Sequence, residues 1–331
     1  MFAARGLAIS FSVFAIMYCV LSLAVSLGWR AVWRYSQGHP VRRVADWLFA
    51  WRMFPLVTAC IVTAAFTVPS FLMLEPRAID EPLGGIPLVL GICGAGLGIL
   101  GVVNAGLALR RVSRTVARWT SAAQPVECSA PFPVLRISPV LPAMALPMTV
   151  RPVRNLPAMT AAGIVHPKVL LSGVAEFLLT ANELRTALNH EVEHLRRRDN
   201  LKKLMLQFVA FPGMAGLEAA WREATEMAAD DAAVSNAGEA LDLAAALVKL
   251  SRLGPAEARM DLTTALVHSP ASAMNARVER LIAWSEERLA VPRRFSPWYA
   301  VCALLAMIAG FAVTYSQLLL RVHTATEWLV R

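Results

Sequence analysis

The chain has 331 residues, of which 57% are hydrophobic and only 17% are charged, and its formal net charge is +9. Its mean hydropathy of +0.53 is too high for an ordinary soluble enzyme, so the composition predicts a membrane protein. Loops on the inner side of a bilayer account for the excess of cations, and direct binding to nucleic acid is not expected.

Four apolar stretches are long enough to be transmembrane helices. The first three lie near the N-terminus, at residues 6–29, 53–74 and 84–109, and the fourth covers residues 297–320. A hydrocarbon core about 30 Å thick takes about 20 helical residues to cross. The sequence therefore predicts four membrane spans.

The charges of the loops set the expected orientation, because Lys and Arg concentrate on the cytoplasmic side. The first loop is rich in arginine, whereas the second, residues 75–83, has one arginine against three carboxylates. Arginines also follow the third stretch and precede the fourth. We therefore expect residues 110–294 to be cytoplasmic, between the membrane segments 1–109 and 295–331, with both termini outside.

The centre of this long segment is the sequence HEVEH, which begins at His190. His190 and His194 are four residues apart, so on a helix both imidazoles lie on one face and can bind one metal ion. Thr180 and Glu183 have the spacing of a capping box and predict that the helix begins there. Zinc is the expected metal, and Glu191 is the expected base that takes a proton from the activated water.

A catalytic zinc site takes three protein ligands and leaves one position open for water. Residues 221–231 lack Gly and Pro and predict a second helix, on which Glu226 and Asp230 share a face. Glu226 is the expected third ligand, and Asp230 is the expected acceptor for a ring N–H of one histidine. Glu223 and Asp231 are the alternatives for these two roles, because a slip along the same helix fits the sequence too.

Short runs of β-branched residues separated by prolines precede the zinc-binding helix and predict a small sheet. Zinc proteases often hold an extended substrate against the edge strand of such a sheet. We expect that edge at residues 161–169, with Ile164, Val165 and His166 along the substrate. His166 itself is interpreted as a turn residue rather than a metal ligand.

The order of three spans, zinc-binding segment and fourth span resembles the membrane metallopeptidases of the BlaR/MecR type. Strings that resemble the protease domain of that family, in sequence and order, lie at residues 167–171, 183–194, 196–201 and 226–234. The resemblance implies an α+β zincin domain that cleaves a protein, such as a transcriptional repressor. The penicillin-binding domain of those sensors has no counterpart here, so β-lactam sensing is not expected.

The Ste24/HtpX-type family is similar in its HExxH and ExxAD strings, and it has a His-Pro segment followed by an Arg. The comparable residues here are His268 and Arg277, with Ser269 between the histidine and the proline. The predicted cytoplasmic segment contains no tyrosine. His268 and Arg277 are therefore the expected donors to the oxyanion that forms during peptide hydrolysis.

These features together predict a zinc-dependent endopeptidase in a bacterial inner membrane, acting on a cytoplasmic or membrane-proximal protein. One alternative is a membrane quality-control protease of the Ste24/HtpX kind. Another is a signalling scaffold without catalysis. The variant Glu191→Gln separates the enzyme from the scaffold, because a scaffold does not need that carboxylate.

Overall fold

Most of the residues that the structure, a computed structural model, describes are helical. Within the described residues, three helices are long and apolar enough to cross a membrane: Phe2–Ser36, Val41–Leu74 and Gly85–Thr120. The mostly helical fold confirms the predicted fold class, and the three long apolar helices are consistent with a membrane protein. The predicted fourth span lies largely outside the described residues, which are 2–36, 38–75, 84–121, 123–126, 130–137, 158–208, 211–252, 264–265, 271–284, 315 and 317–326.

The first membrane helix is α1 (Phe2–Ser36) and the third is α4 (Gly85–Thr120). The second consists of α2 (Val41–Val62), a π-helical turn at Thr63–Thr67 and α3 (Val68–Leu74). With 34 to 36 residues, each exceeds by several turns the roughly 20 residues that cross the hydrocarbon core. Each helix can therefore extend well beyond the bilayer.

Close packing of α1 against α4 depends on glycine. A Cβ atom added at Gly91 of α4 would lie 2.7 Å from the carbonyl oxygen of Ala8 in α1. A side chain at this position would push the two backbones apart, so the glycine permits the short distance between the helices.

Among the described residues, α4 is followed by a small mixed sheet, by helices α5 to α10 and by a helical segment at residues 317–326. The described strands occur in the order β1-β2-β4-β3-β5; β2 and β4 are parallel and the other pairs are antiparallel. The strands are β1 (Ala123–Val126), β2 (Val134–Ile137), β3 (Met159–Ala162), β4 (Lys168–Ser172) and β5 (Thr264–Ala265). The helices are α5 (Gly173–Leu178), α6 (Ala181–Arg196), α7 (Asp199–Phe208), α8 (Ala215–Ala233), α9 (Ala237–Ser251) and α10 (Ala271–Ile282).

The sheet and helices α5 to α10 form a domain, and the ends of the membrane helices are part of its core. Val116 and Trp119 near the end of α4 are buried with Leu170 of the sheet. At the start of α2, Leu48 is buried in one cluster with Trp221 of α8. The domain is thus packed directly on the membrane helices rather than tethered to them by a linker.

The described part of the C-terminal helix, residues 317–326, lies beside the second membrane helix. Ser70 in α3 donates a hydrogen bond of 3.2 Å to the carbonyl oxygen of Leu319. The Tyr315 hydroxyl donates one of 2.8 Å to the carbonyl oxygen of Ala65, within the π-helical turn. The carbonyl oxygen of Ala65 in the π-helical turn therefore has a hydrogen-bond partner on the C-terminal helix.

The prediction of an edge strand at residues 161–169 is wrong. Ile164, Val165 and His166 form the bend between β3 and β4, and β3 pairs with β4 on one side and β5 on the other. The chain reverses at Gly163, whose φ of +92° is a conformation that residues with a side chain rarely adopt. Val165 and His166 are exposed in this turn, as the turn interpretation of His166 requires.

Candidate metal centre

Helix α6 begins where the capping box predicted. Thr180 Oγ1 accepts a hydrogen bond from the backbone N–H of Glu183, and the Glu183 carboxylate accepts one from the backbone N–H of Thr180. Lys249 of α9 adds an ion pair of 2.7 Å to Glu183. Burial raises the pKa of Glu183, but Lys249 and the cap hydrogen bonds outweigh it, so the carboxylate has a lowered pKa overall.

The structure brings together three of the predicted site residues, His190, His194 and Glu226, with their ligand atoms within 4.8 Å of one another. The two Nε2 atoms are 3.1 Å apart, and each lies 3.6 Å from an oxygen of Glu226. A tetrahedral zinc ion with ligands at about 2.1 Å has its ligand atoms about 3.4 Å apart. The two imidazoles and the carboxylate therefore fit around one such ion.

Each histidine is held by a carboxylate on the ring nitrogen that points away from the metal position. His194 Nδ1 hydrogen-bonds Asp199 Oδ2 at 2.8 Å. His190 Nδ1 lies 2.9 Å from Asp230 Oδ1. Such contacts orient metal-binding imidazoles and increase their basicity. The structure places Asp230 where the sequence predicted it, and adds Asp199.

Arg277 of α10 is buried against the same carboxylates. Its Nε and Nη2 donate hydrogen bonds of 2.7 Å to the two oxygens of Asp230, and Nη1 lies 3.0 Å from Glu226 Oε2. Burial by itself raises the pKa of Asp230, but Arg277 outweighs it, so the pKa falls to about 2. Arg277 thus fixes the two acidic residues of α8, and its contacts support a positioning role rather than the predicted oxyanion role.

Glu191 lies next to the histidines and is completely buried. Its Oε2 accepts a hydrogen bond of 2.7 Å from the backbone N–H of Ala161 in β3, and its Oε1 has no hydrogen-bond partner among the described residues. Burial is the main reason that the pKa of Glu191 is raised, and the two histidines only partly oppose it. A fixed carboxylate with a raised pKa suits a group that accepts a proton near neutral pH.

The remaining predicted residues lie elsewhere. His268 is outside the described residues, and Ile164, Val165 and His166 are in the β3–β4 turn. Both alternatives on α8 are less well placed: Asp231 pairs with Arg280 of α10, and Glu223 is not a member of the metal-ligand group. Glu226 and Asp230 thus occupy the positions that a metal centre requires.

No protein-family model matches the chain, and no curated protein matches it. The chemistry of the site follows from the donor atoms, their spacing and the groups that hold them.

Helix α7 connects the site to the sheet through a residue that sequence reasoning missed. Asn200 Nδ2 donates to the carbonyl oxygens of Ala161 and Gly163, at 3.1 and 3.2 Å. Asn200 directly follows Asp199, which holds His194. The start of α7 thus fixes both the second histidine and the end of β3.

Ion pairs also connect the site helices to the membrane helix α2. Arg52 of α2 is buried and donates a hydrogen bond of 2.9 Å to Glu218 of α8. Asp46 lies 3.6 Å from Arg197 and 3.4 Å from Lys202. In the sequence the only sign of these contacts is the presence of charged residues near apolar stretches, and their partners depend on the fold.

Proposed function

We propose that the protein is a zinc-dependent endopeptidase of the membrane. The observation that carries the proposal is the cluster of His190, His194 and Glu226 beside the buried carboxylate of Glu191. Two imidazoles and one carboxylate form a known ligand set of catalytic zinc in peptidases, and they leave a fourth position open. When bound, zinc supplies the Lewis acidity that lowers the pKa of a water molecule to about 7.

The residues of this chain have separate tasks in the proposed hydrolysis. Glu191 takes the proton of the attacking water and then gives it to the amide nitrogen as the C–N bond breaks. Asp199 and Asp230 hold the histidine rings in place, and Arg277 fixes the carboxylates of α8. Asp199, Asp230 and Arg277 are buried together with ionisable partners, which offsets part of the cost of burying them.

The proposed substrate is a protein near the membrane surface. The ion pair between Arg52 and Glu218 attaches the ligand helix α8 to the membrane helix α2, so the site lies close to the bilayer. The arginine-rich loops support a cytoplasmic domain in a bacterial inner membrane, with both termini outside. The resemblance to the BlaR/MecR type supports regulated cleavage of a repressor or another signalling protein.

The experiment compares protein N-termini in cells that produce the wild type or Glu191→Gln. The amide of glutamine can still accept the hydrogen bond from Ala161, but it cannot accept the proton of water. We expect a set of new N-termini in the wild-type cells that is absent with the variant. Glu193→Gln on the same helix is the control and should leave the set intact, because the Glu193 carboxylate pairs with Arg196 at 3.8 Å and is not one of the three grouped metal-ligand candidates. Identical N-termini with wild type and Glu191→Gln would reject the peptidase.

A further inference from the structure

Peptide hydrolysis at this site needs a donor to the oxyanion. Arg277 is buried, and its guanidinium binds Asp230 and Glu226. No tyrosine lies between residues 110 and 294, and His268 is outside the described residues. The inference below identifies a donor and rests on the proposed function.

The first turn of α7 shows which way its side chains point. Asp199 contacts His194, Asn200 contacts the carbonyl oxygen of Ala161, and Lys202 contacts Asp46 of α2. Successive residues of an α-helix are rotated by about 100°. Lys203 therefore points in a direction between those of Asp199 and Asn200, roughly 40° from the first and 60° from the second. That direction lies between the one that leads to His194 and the one that leads to strand β3.

The electrostatic surroundings of Lys203 agree with this direction. Its ammonium group interacts with the carboxylates of Glu226, Asp199 and Glu191, and with the guanidinium of Arg222. Burial lowers the pKa of Lys203, and Arg222 acts in the same sense, while the three carboxylates oppose them. Lys203 is thus partly desolvated and lies close enough to Glu226, Asp199 and Glu191 for its charge to interact with theirs. A charge in such surroundings acts on a substrate more strongly than a charge in water.

We propose that Lys203 is a catalytic residue that stabilises the oxyanion of peptide hydrolysis. In this step the water oxygen forms a bond to the carbonyl carbon, and the water proton moves to Glu191. The π electron pair of the carbonyl moves onto its oxygen, which then accepts a hydrogen bond from the Lys203 ammonium. When the C–N bond breaks, that pair re-forms the carbonyl and the proton passes from Glu191 to the leaving nitrogen. Lys203 keeps its proton throughout.

The distinguishing feature of an oxyanion donor is that it binds the transition state better than the substrate. Lys203→Met should therefore lower kcat by about 10²–10³ with little change in KM, the size typical of losing one such donor. A phosphinate peptide, whose tetrahedral phosphorus carries the negative oxygen, should lose affinity by a similar factor. A substrate-like peptide without a scissile bond should bind as before. Zinc content should not change.

Two further variants complete the test on the full-length protein in detergent. Lys203→Arg keeps a cation and should have most of the wild-type activity. Arg222→Met removes an exposed cation that interacts with Lys203, and its kcat should stay within about threefold of the wild-type value. An unchanged kcat in Lys203→Met, or a loss of zinc in that variant, would overturn the role. Equal weakening of the phosphinate and the substrate-like peptide would also overturn it.

The failure of this role is distinguishable from the failure of the peptidase. If the wild type cleaves and Glu191→Gln does not, a fully active Lys203→Met rejects the lysine alone. If the zinc-loaded wild type does not cleave, the proposed function and the role of Lys203 fall together.

Discussion

Arg277→Met should destabilise the domain strongly, because it removes the cation that the buried Asp230 and the half-buried Glu226 share. Arg277 makes two hydrogen bonds of 2.7 Å to Asp230 and a contact of 3.0 Å to Glu226. Methionine fills a similar volume without the charge. The variant thus leaves the buried Asp230 and the half-buried Glu226 with one charged partner fewer.

The size of the effect follows from the protonation of Asp230. Its pKa falls from an ordinary 3.8 to about 2 in spite of burial, and each unit corresponds to about 1.4 kcal/mol. The ionised form of Asp230 is therefore stabilised by about 2–3 kcal/mol relative to the unfolded chain, with the cost of burial already included. Most of this stabilisation comes from Arg277. Breaking a buried ion pair by removing one partner costs about 3–5 kcal/mol, so we expect a loss in that range.

The assay is reversible unfolding of the metal-free protein in detergent, with Arg280→Met as the matched control. Arg280 lies one turn further along α10 and pairs with Asp231, but the two side chains are 20% and 33% exposed. Such an exposed pair contributes about 0–1 kcal/mol. The reasoning is refuted if Arg277→Met costs no more than Arg280→Met.

Three other changes test separate parts of the account. Asp199→Asn should weaken zinc binding by about 10–100-fold in a chelator competition, because the amide is a poorer partner for the histidine; unchanged affinity would remove Asp199 from the site. Glu183 has a lowered pKa in the folded state, so its contribution to stability is present above its unfolded pKa and is lost as the pH falls. Between pH 6 and 3, the free energy of unfolding of the wild type should therefore fall more steeply than that of Lys249→Met, and parallel curves would contradict this. Arg52→Met should cost about 2 kcal/mol in the same unfolding assay because Glu218 loses a charged partner, and no loss would show that the pair does not hold α8 to α2.

Much of the metal centre could be predicted from local sequence because its parts recur at helical spacing. His190 and His194 are one turn apart, and the capping box at Thr180 marks the start of their helix. Glu226 and Asp230 are also one turn apart, and the predicted helical stretch at residues 221–231 lies within α8. Each of these predictions needed only the geometry of a single helix.

The remaining parts depend on contacts between elements that are distant in the sequence. The hydrogen bond from Asn200 to Ala161 spans 39 positions, and the one from Arg52 to Glu218 spans 166. No local pattern contains that information. The wrong edge strand has a local cause, because the β-branched residues around Val165 favour a strand while Gly163 reverses the chain.

The most direct test of the central claim is the zinc content of the purified protein, measured by mass spectrometry together with its cleavage of an unfolded protein. The account predicts one zinc per chain in the wild type and in Glu191→Gln, with cleavage only by the wild type. It predicts no stable zinc in Glu226→Ala and full occupancy in Glu223→Ala. A wild type that binds no zinc, or cleavage by zinc-loaded Glu191→Gln at the wild-type rate, would contradict it.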